Sequence, residues 1–85
     1  MKIVVKFFAS LRDICGVSEF EADLDKLNDS EPCSDQLMEL LINKFPKLEN
    51  ELPSISIALN TKYVTSNVFL RDGDEIAILP PISGG

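Results

Sequence analysis

The run DGDEIAILPPISGG, residues 72–85, is the part of the sequence that most directly indicates the fold. It opens with a turn in which Gly73 is the residue best able to adopt a positive φ. Residues 75–79 then favour a strand, with Ile76 and Ile78 facing inward and Ala77 and Leu79 facing outward. Pro80 and Pro81 follow, and since neither has a backbone N–H, they end the hydrogen-bond ladder. The pattern predicts a final strand followed by an extended tail that leaves the folded body.

Two strands are predicted at the amino-terminal end. Residues 2–8 are rich in Val, Ile and Phe, and alternate residues share a face. A short helix over residues 9–15 would end at Gly16, which readily takes the left-handed conformation after a helix. Residues 18–24 alternate apolar and acidic side chains, which is typical of a half-buried strand. The short connection predicts that this strand lies antiparallel to the first.

The main helix is predicted after the polar run at residues 28–31. Pro32 suits its first turn, and Pro46 ends it by disfavouring helical geometry at the preceding residue. Between them the apolar side chains recur at helical spacing, at Leu37, Met38, Leu40, Leu41, Ile42 and Phe45. This wide apolar stripe requires a sheet to cover it.

After a predicted loop over residues 47–54, strands are predicted over 55–59 and 62–65, with a tight turn between them. The resulting order is strand, strand, helix and then strands, ββαββ with a short extra helix in the first connection. One long helix packed on one face of a mixed sheet is the compact α+β solution for this order. It is the arrangement of the ubiquitin-like β-grasp, in which the first and last strands pair in parallel at the centre. We predict a β-grasp domain over residues 1–79 and a tail over 80–85.

Composition narrows the function classes. The 85 residues carry a net charge of −6, which disfavours binding to nucleic-acid phosphates. The chain has no histidine, so the commonest general base and metal ligand is absent. Its two cysteines lack metal-ligand spacing, and no apolar run is long enough to span a membrane. We expect no bound cofactor or metal, no nucleic-acid or membrane partner, and a cytoplasmic location.

The tail has a composition suited to entering a narrow channel. From Pro80 onward six residues reach at most about 20 Å. Ile82 offers one apolar contact, Ser83 is small, and Gly84 and Gly85 carry no side chain. Glycine costs conformational entropy, so it is useful where a backbone must pass where a Cβ would not fit. The alternative is an inert, frayed end.

Two segments carry a resemblance to a known family. KFFASLRDICG at residues 6–16 resembles the opening of the small, sulfur-carrier subunit of molybdopterin synthase, the MoaD family. DGDEIAILPPISGG at residues 72–85 is similar to the closing motif of that family, and Asn60 stands where the family has an Asn. The resemblance spans the chain and implies the ubiquitin-like β-grasp fold.

The resemblance also implies a function. An activating enzyme of the ubiquitin E1 type would use ATP and Mg to adenylate Gly85, and sulfur would then replace AMP to leave a thiocarboxylate. Gly84 would help to deliver that group into the large subunit, which converts cyclic pyranopterin monophosphate to the molybdopterin dithiolene. Two small and two large subunits are expected. The carrier itself would supply no independent catalysis.

A partner surface is predicted around the tail. Phe8 and Leu79 are expected on the sheet face away from the main helix, together with Val4 and Ala58. Contiguous apolar groups there would mark an interface. The tail residues predicted to continue it are Pro80, Pro81, Ile82 and Ser83. In the alternative, a loop or the short helix covers this face and Phe8 is internal.

Three rival functions remain open from the residues alone. The chain could carry sulfur for thiazole synthesis or tRNA thiolation. It could be a protein modifier that joins lysines through Gly85, or a plain binding domain with an inert tail. The chemical fate of Gly85 distinguishes them.

Overall fold

The computed structural model describes residues 2–27, 32–64 and 66–80. Within this part of the chain the elements are β1 (Lys2–Phe7), α1 (Ser10–Cys15), β2 (Glu19–Asp23), a 3₁₀ segment (Leu24–Leu27), α2 (Ser34–Lys44), a second 3₁₀ segment (Pro46–Ser54), β3 (Ser56–Leu59), β4 (Lys62–Val64) and β5 (Glu75–Leu79).

The described strands form one mixed sheet in the order β2-β1-β5-β3-β4. β1 and β5 run parallel at its centre, with Val5 opposite Ile76 and Phe7 opposite Ile78. The other neighbouring pairs are antiparallel. The predicted β-grasp is therefore confirmed. The division into a domain and a tail stays a prediction, since only Pro80 of the tail lies within the described residues.

The core lies between α2 and one face of the sheet. Strand alternation selects this face, because residues two apart on a strand point the same way. Leu48 and Leu70 reach it from the connecting segments. The fully or almost fully buried apolar residues of the cluster are Ile3, Val5, Phe7, Leu11, Ala22, Leu24, Leu37, Leu41, Leu48, Leu70, Ile76 and Ile78.

The start of α2 differs from the prediction. Pro32 lies before the helix, which begins at Ser34, because Cys33 is extended (φ −124°, ψ 169°) and forms a β-bridge with Phe69. The Asp35 backbone N–H donates to the side-chain oxygen of Asn67 over 3.0 Å. A distant segment thus satisfies a donor at the helix start. The predicted end is confirmed, since α2 stops at Lys44, two residues before Pro46.

The segment before β3 is predicted as a loop without regular structure, and this prediction is wrong. Residues Pro46–Ser54 form a 3₁₀ segment, in which the Leu48 N–H donates to the Phe45 carbonyl over 3.0 Å. Leu48 is fully buried, so the core anchors this connection. The strand after it begins at Ser56, one residue later than predicted.

A network of hydrogen bonds joins both predicted turns at one end of the sheet. The Asn60 side-chain amide donates to Asp74 over 3.0 Å, and the Glu75 N–H donates to the Asn60 side-chain oxygen over 2.9 Å. Gly73 adopts φ 86°, as predicted, and its N–H donates to the Lys2 carbonyl over 2.9 Å. These residues set the β1–β5 register and lie at the end of β5 opposite the tail.

Candidate functional site

The candidate site begins where the chain leaves the centre of the sheet. Leu79 ends β5 and pairs with Ser56 of β3, and Pro80 follows it. On the other side, the Phe8 N–H donates to the Ile78 carbonyl over 3.2 Å. The root of the tail is therefore held between β1 and β3.

A strained turn presents Phe8 beside this root. Ala9 adopts φ 50°, ψ −127°, a conformation that glycine favours. The Leu11 N–H donates to the Phe8 carbonyl over 3.1 Å, which closes the turn into α1. Phe8 is 39% exposed while its neighbour Phe7 is 2% exposed. The alternative in which Phe8 is internal is wrong, because Phe8 remains exposed.

The sheet face away from α2 is more polar than predicted. Lys6 and Ala77 are paired across β1 and β5, and Lys6 Nζ lies 3.3 Å from a carboxylate oxygen of Glu75. Val4 and Leu79 are half-buried on this face. Ala58 is only 6% exposed, so the expectation that it forms part of an exposed apolar patch is wrong. Its short side chain is shielded by its neighbours, and the exposed apolar group by the tail is Phe8.

The hydrogen bond from Phe8 to Ile78 brings Phe8 close to two further predicted site residues that follow Ile78 in the chain, Leu79 and Pro80. Their role as a partner surface stays a prediction. The remaining predicted site residues lie outside the described residues; they are Pro81, Ile82, Ser83, Gly84 and Gly85.

The described part of the chain offers little chemistry of its own. No group of three or more metal-ligating side chains occurs in it. Both cysteines are free thiols, and burial raises the pKa of Cys15 above its ordinary value. No described helix is long and apolar enough to cross a bilayer.

These features define a class: a ubiquitin-like β-grasp whose central strand β5 is followed in the sequence by Pro-Pro-Ile-Ser-Gly-Gly. The ThiS family model matches residues 5–85. The chain therefore belongs to the ThiS family.

Relatives that align with the whole chain have more specific names than the family. The chain is 38% identical over 87 residues to a molybdopterin synthase sulfur carrier subunit of Chlamydomonas reinhardtii, covering 100% of both chains. Among solved structures it is similar to a complex of subunits 1 and 2 of the molybdopterin-converting factor from Helicobacter pylori 26695, with 29% identity, a TM-score of 0.71 and 100% coverage of both chains. It is also similar to small archaeal modifier protein 1 of Methanosarcina acetivorans, with 27% identity, a TM-score of 0.80 and coverage of 99% and 96%.

Proposed function

We propose that the chain is a sulfur carrier of molybdopterin synthase, with Gly85 as the site of a thiocarboxylate. The observation that carries the proposal is end-to-end similarity to sulfur carrier subunits, in a chain whose central strand β5 is followed in the sequence by Pro-Pro-Ile-Ser-Gly-Gly. The large subunit is the proposed partner, in a complex of two small and two large chains. A cytoplasmic location is part of the proposal and suits two free thiols.

The chemistry requires activation before sulfur transfer. A carboxylate is a poor electrophile, so an activating enzyme of the E1 type would use ATP and Mg to form an acyl-adenylate at Gly85. A persulfide on that enzyme then displaces AMP, and a second thiol cleaves the resulting acyl disulfide to release the thiocarboxylate. The two sulfurs of one dithiolene require two carriers. The active-site residues lie on the large subunit, and this chain binds no cofactor.

The test is to incubate the chain with an E1-type activating enzyme, ATP, Mg and a sulfur donor, and to measure its intact mass. The proposal expects one oxygen to be replaced by sulfur. A variant with one extra residue after Gly85, confirmed uncleaved by mass, should fold and stay unmodified because the acceptor carboxylate has moved. Full activity of that variant would contradict the proposal.

A second candidate is a protein modifier, favoured by the similarity to small archaeal modifier protein 1. It shares the fold and the activation of Gly85, and only the acceptor differs. Adducts on lysines of other proteins, without oxygen-to-sulfur exchange, would favour this candidate.

A further inference from the structure

The outer edge of β2 carries unpaired backbone groups. In the described sheet β2 is bonded on one side only, to β1. The Phe7 N–H donates to the Ser18 carbonyl over 2.9 Å. Such bonds alternate along an antiparallel ladder, so the backbone N–H and C=O groups of Phe20 also point toward β1. The backbone N–H and C=O groups of Glu19 and Glu21 therefore point outward. No bond to these outward groups is made within the described residues.

A groove of about 510 Å³ runs beside this edge, between β2 and α2. Phe20 is half-buried in it and is held edge-on against Phe45, with the ring centroids 5.4 Å apart. Lys44 Nζ lies 5.9 Å from the Phe20 centroid and steadies the ring from the helix side. The groove is lined by Phe20, Glu21, Asp23, Leu40, Asn43 and Lys44. Phe20 and Leu40 are its apolar lining, and the other four lining residues are polar or charged.

The acidic side chains of β2 indicate which kind of partner would bind at its outer edge. The side chains of Glu19, Glu21 and Asp23 alternate with Phe20 and Ala22, so they point to the sheet face away from α2, and Glu21 and Asp23 also border the groove on its strand side. Lys2 lies 3.5 Å from Glu21, but the Glu21 side chain remains 62% exposed. A second copy of this chain, paired edge to edge, would bring acids against acids, which destabilises a sheet. The edge is complementary to a basic strand.

We infer that the β2 edge binds an extended, basic peptide segment of another protein by strand addition. Successive side chains of an added strand point to opposite faces. Apolar residues at alternate positions would enter the groove against Phe20 and Leu40. The intervening Lys or Arg residues would face Glu19 and Glu21. The recognised segment is therefore an alternating basic and apolar strand, and this surface is separate from the tail root at Phe8.

The test uses a fluorescein-labelled peptide, Lys-Val-Lys-Ile-Lys-Val-Lys, added to the full chain. Saturable binding is expected, with the largest NMR amide shifts and slowed amide exchange at Glu19 and Glu21. Two peptide versions, N-methylated at all odd or at all even positions, separate strand addition from charge attraction. Only the set whose N–H groups face β2 should lose binding.

A pair of matched variants checks the charge argument. Glu19→Gln with Glu21→Gln should raise the dissociation constant by about two- to fivefold for each carboxylate removed. Asp13→Asn with Glu39→Gln changes the net charge equally on exposed sites outside the groove and should leave binding unchanged. Equal weakening by both pairs, shifts centred on β4, or no saturable binding at about 1 mM peptide would overturn the inference.

Discussion

Phe8 is bonded through its backbone to Ile78 of the last strand, N–H to carbonyl over 3.2 Å, while its ring stays at the surface. A ring in this position is fixed beside the tail root without being part of the core. Phe7, one residue earlier, points into the core and packs edge-on against Phe45 at 5.4 Å. Adjacent phenylalanines therefore have different roles.

Phe8→Ala should separate binding from stability. We expect the free energy of unfolding to fall by about 1 kcal/mol, because the ring is partly exposed. Affinity for the large synthase subunit should fall by ~2 kcal/mol if Phe8 is an interface anchor. Phe7→Ala is the control and should lose ~3–5 kcal/mol of stability. Urea unfolding measures the free energy of unfolding, and calorimetric titration measures the affinity for the large subunit. A large stability loss for Phe8→Ala, with unchanged affinity per folded molecule, would exclude the platform role.

Asn60→Gly should destabilise the fold by about 1–2 kcal/mol through lost side-chain hydrogen bonds. Asn60 has φ 48°, and glycine accepts that conformation, so the substitution removes the bonds to Asp74 and Glu75 without adding backbone strain. Thr61→Gly is the matched control: Thr61 has φ 74°, and glycine should relieve its strain and raise stability. Equal effects at the two positions in urea unfolding would refute the bonding role of Asn60.

Ala9→Gly should stabilise the protein by about 1 kcal/mol, since relief of the positive-φ strain exceeds the added entropy of glycine in the unfolded chain. Gly16→Ala tests the opposite change, in which alanine replaces glycine at a position with positive φ. Gly16 has φ 79° and open space around its missing Cβ, so only backbone strain opposes alanine, at a cost of about 1–2 kcal/mol. Thermal and urea unfolding measure both. If Ala9→Gly lowers stability, the turn is not strained.

The sequence predicts those parts of the fold that depend on local pattern. Alternation located β1, β2 and β5, and Gly16 and Gly73 marked two of the five described positions that have positive φ. The errors fall where distant contacts decide. Phe69 bridges Cys33 and delays the main helix, and burial of Leu48 turns a loop into a 3₁₀ segment. Neither contact has a local signal.

For the candidate site, too, local sequence pattern predicts some features and misses those that depend on distant contacts. Alternation correctly placed Leu79 on the face away from the helix, because the period of a strand determines its faces. The same placement of Phe8 stays a prediction, since Phe8 lies beyond the end of β1. Alternation could not show that neighbouring side chains would cover Ala58, since shielding depends on which strands lie side by side. The groove beside Phe20 was not predicted either, because it is formed by two elements distant in sequence.

Cys15 should make stability decrease at alkaline pH. Burial raises the pKa of its thiol in the folded state above the unfolded value, so the folded state holds the proton more tightly. The contribution is fully present below the unfolded pKa and is lost as the pH rises through the folded pKa. Unfolding free energies of the parent chain and Cys15→Ala, compared from pH 7 to about pH 10.5, should converge as the pH rises. A constant difference would show that the thiol does not titrate differently on folding.

Gly84→Leu should impair sulfur delivery while leaving stability within about 0.5 kcal/mol. The residue follows the two prolines that end the ladder, so the folded body has no predicted need of it. A branched side chain beside Gly85 would obstruct entry of the terminus into a narrow channel, and misplacement of the reacting group costs about 100-fold in rate. The measurement is single-turnover transfer from the preformed thiocarboxylate to the large subunit and its pterin substrate. Glu39→Leu, which adds the same side chain at an exposed position of α2, is the control and should transfer normally. A loss of several kcal/mol of stability in Gly84→Leu would instead make Gly84 structural and remove the channel argument.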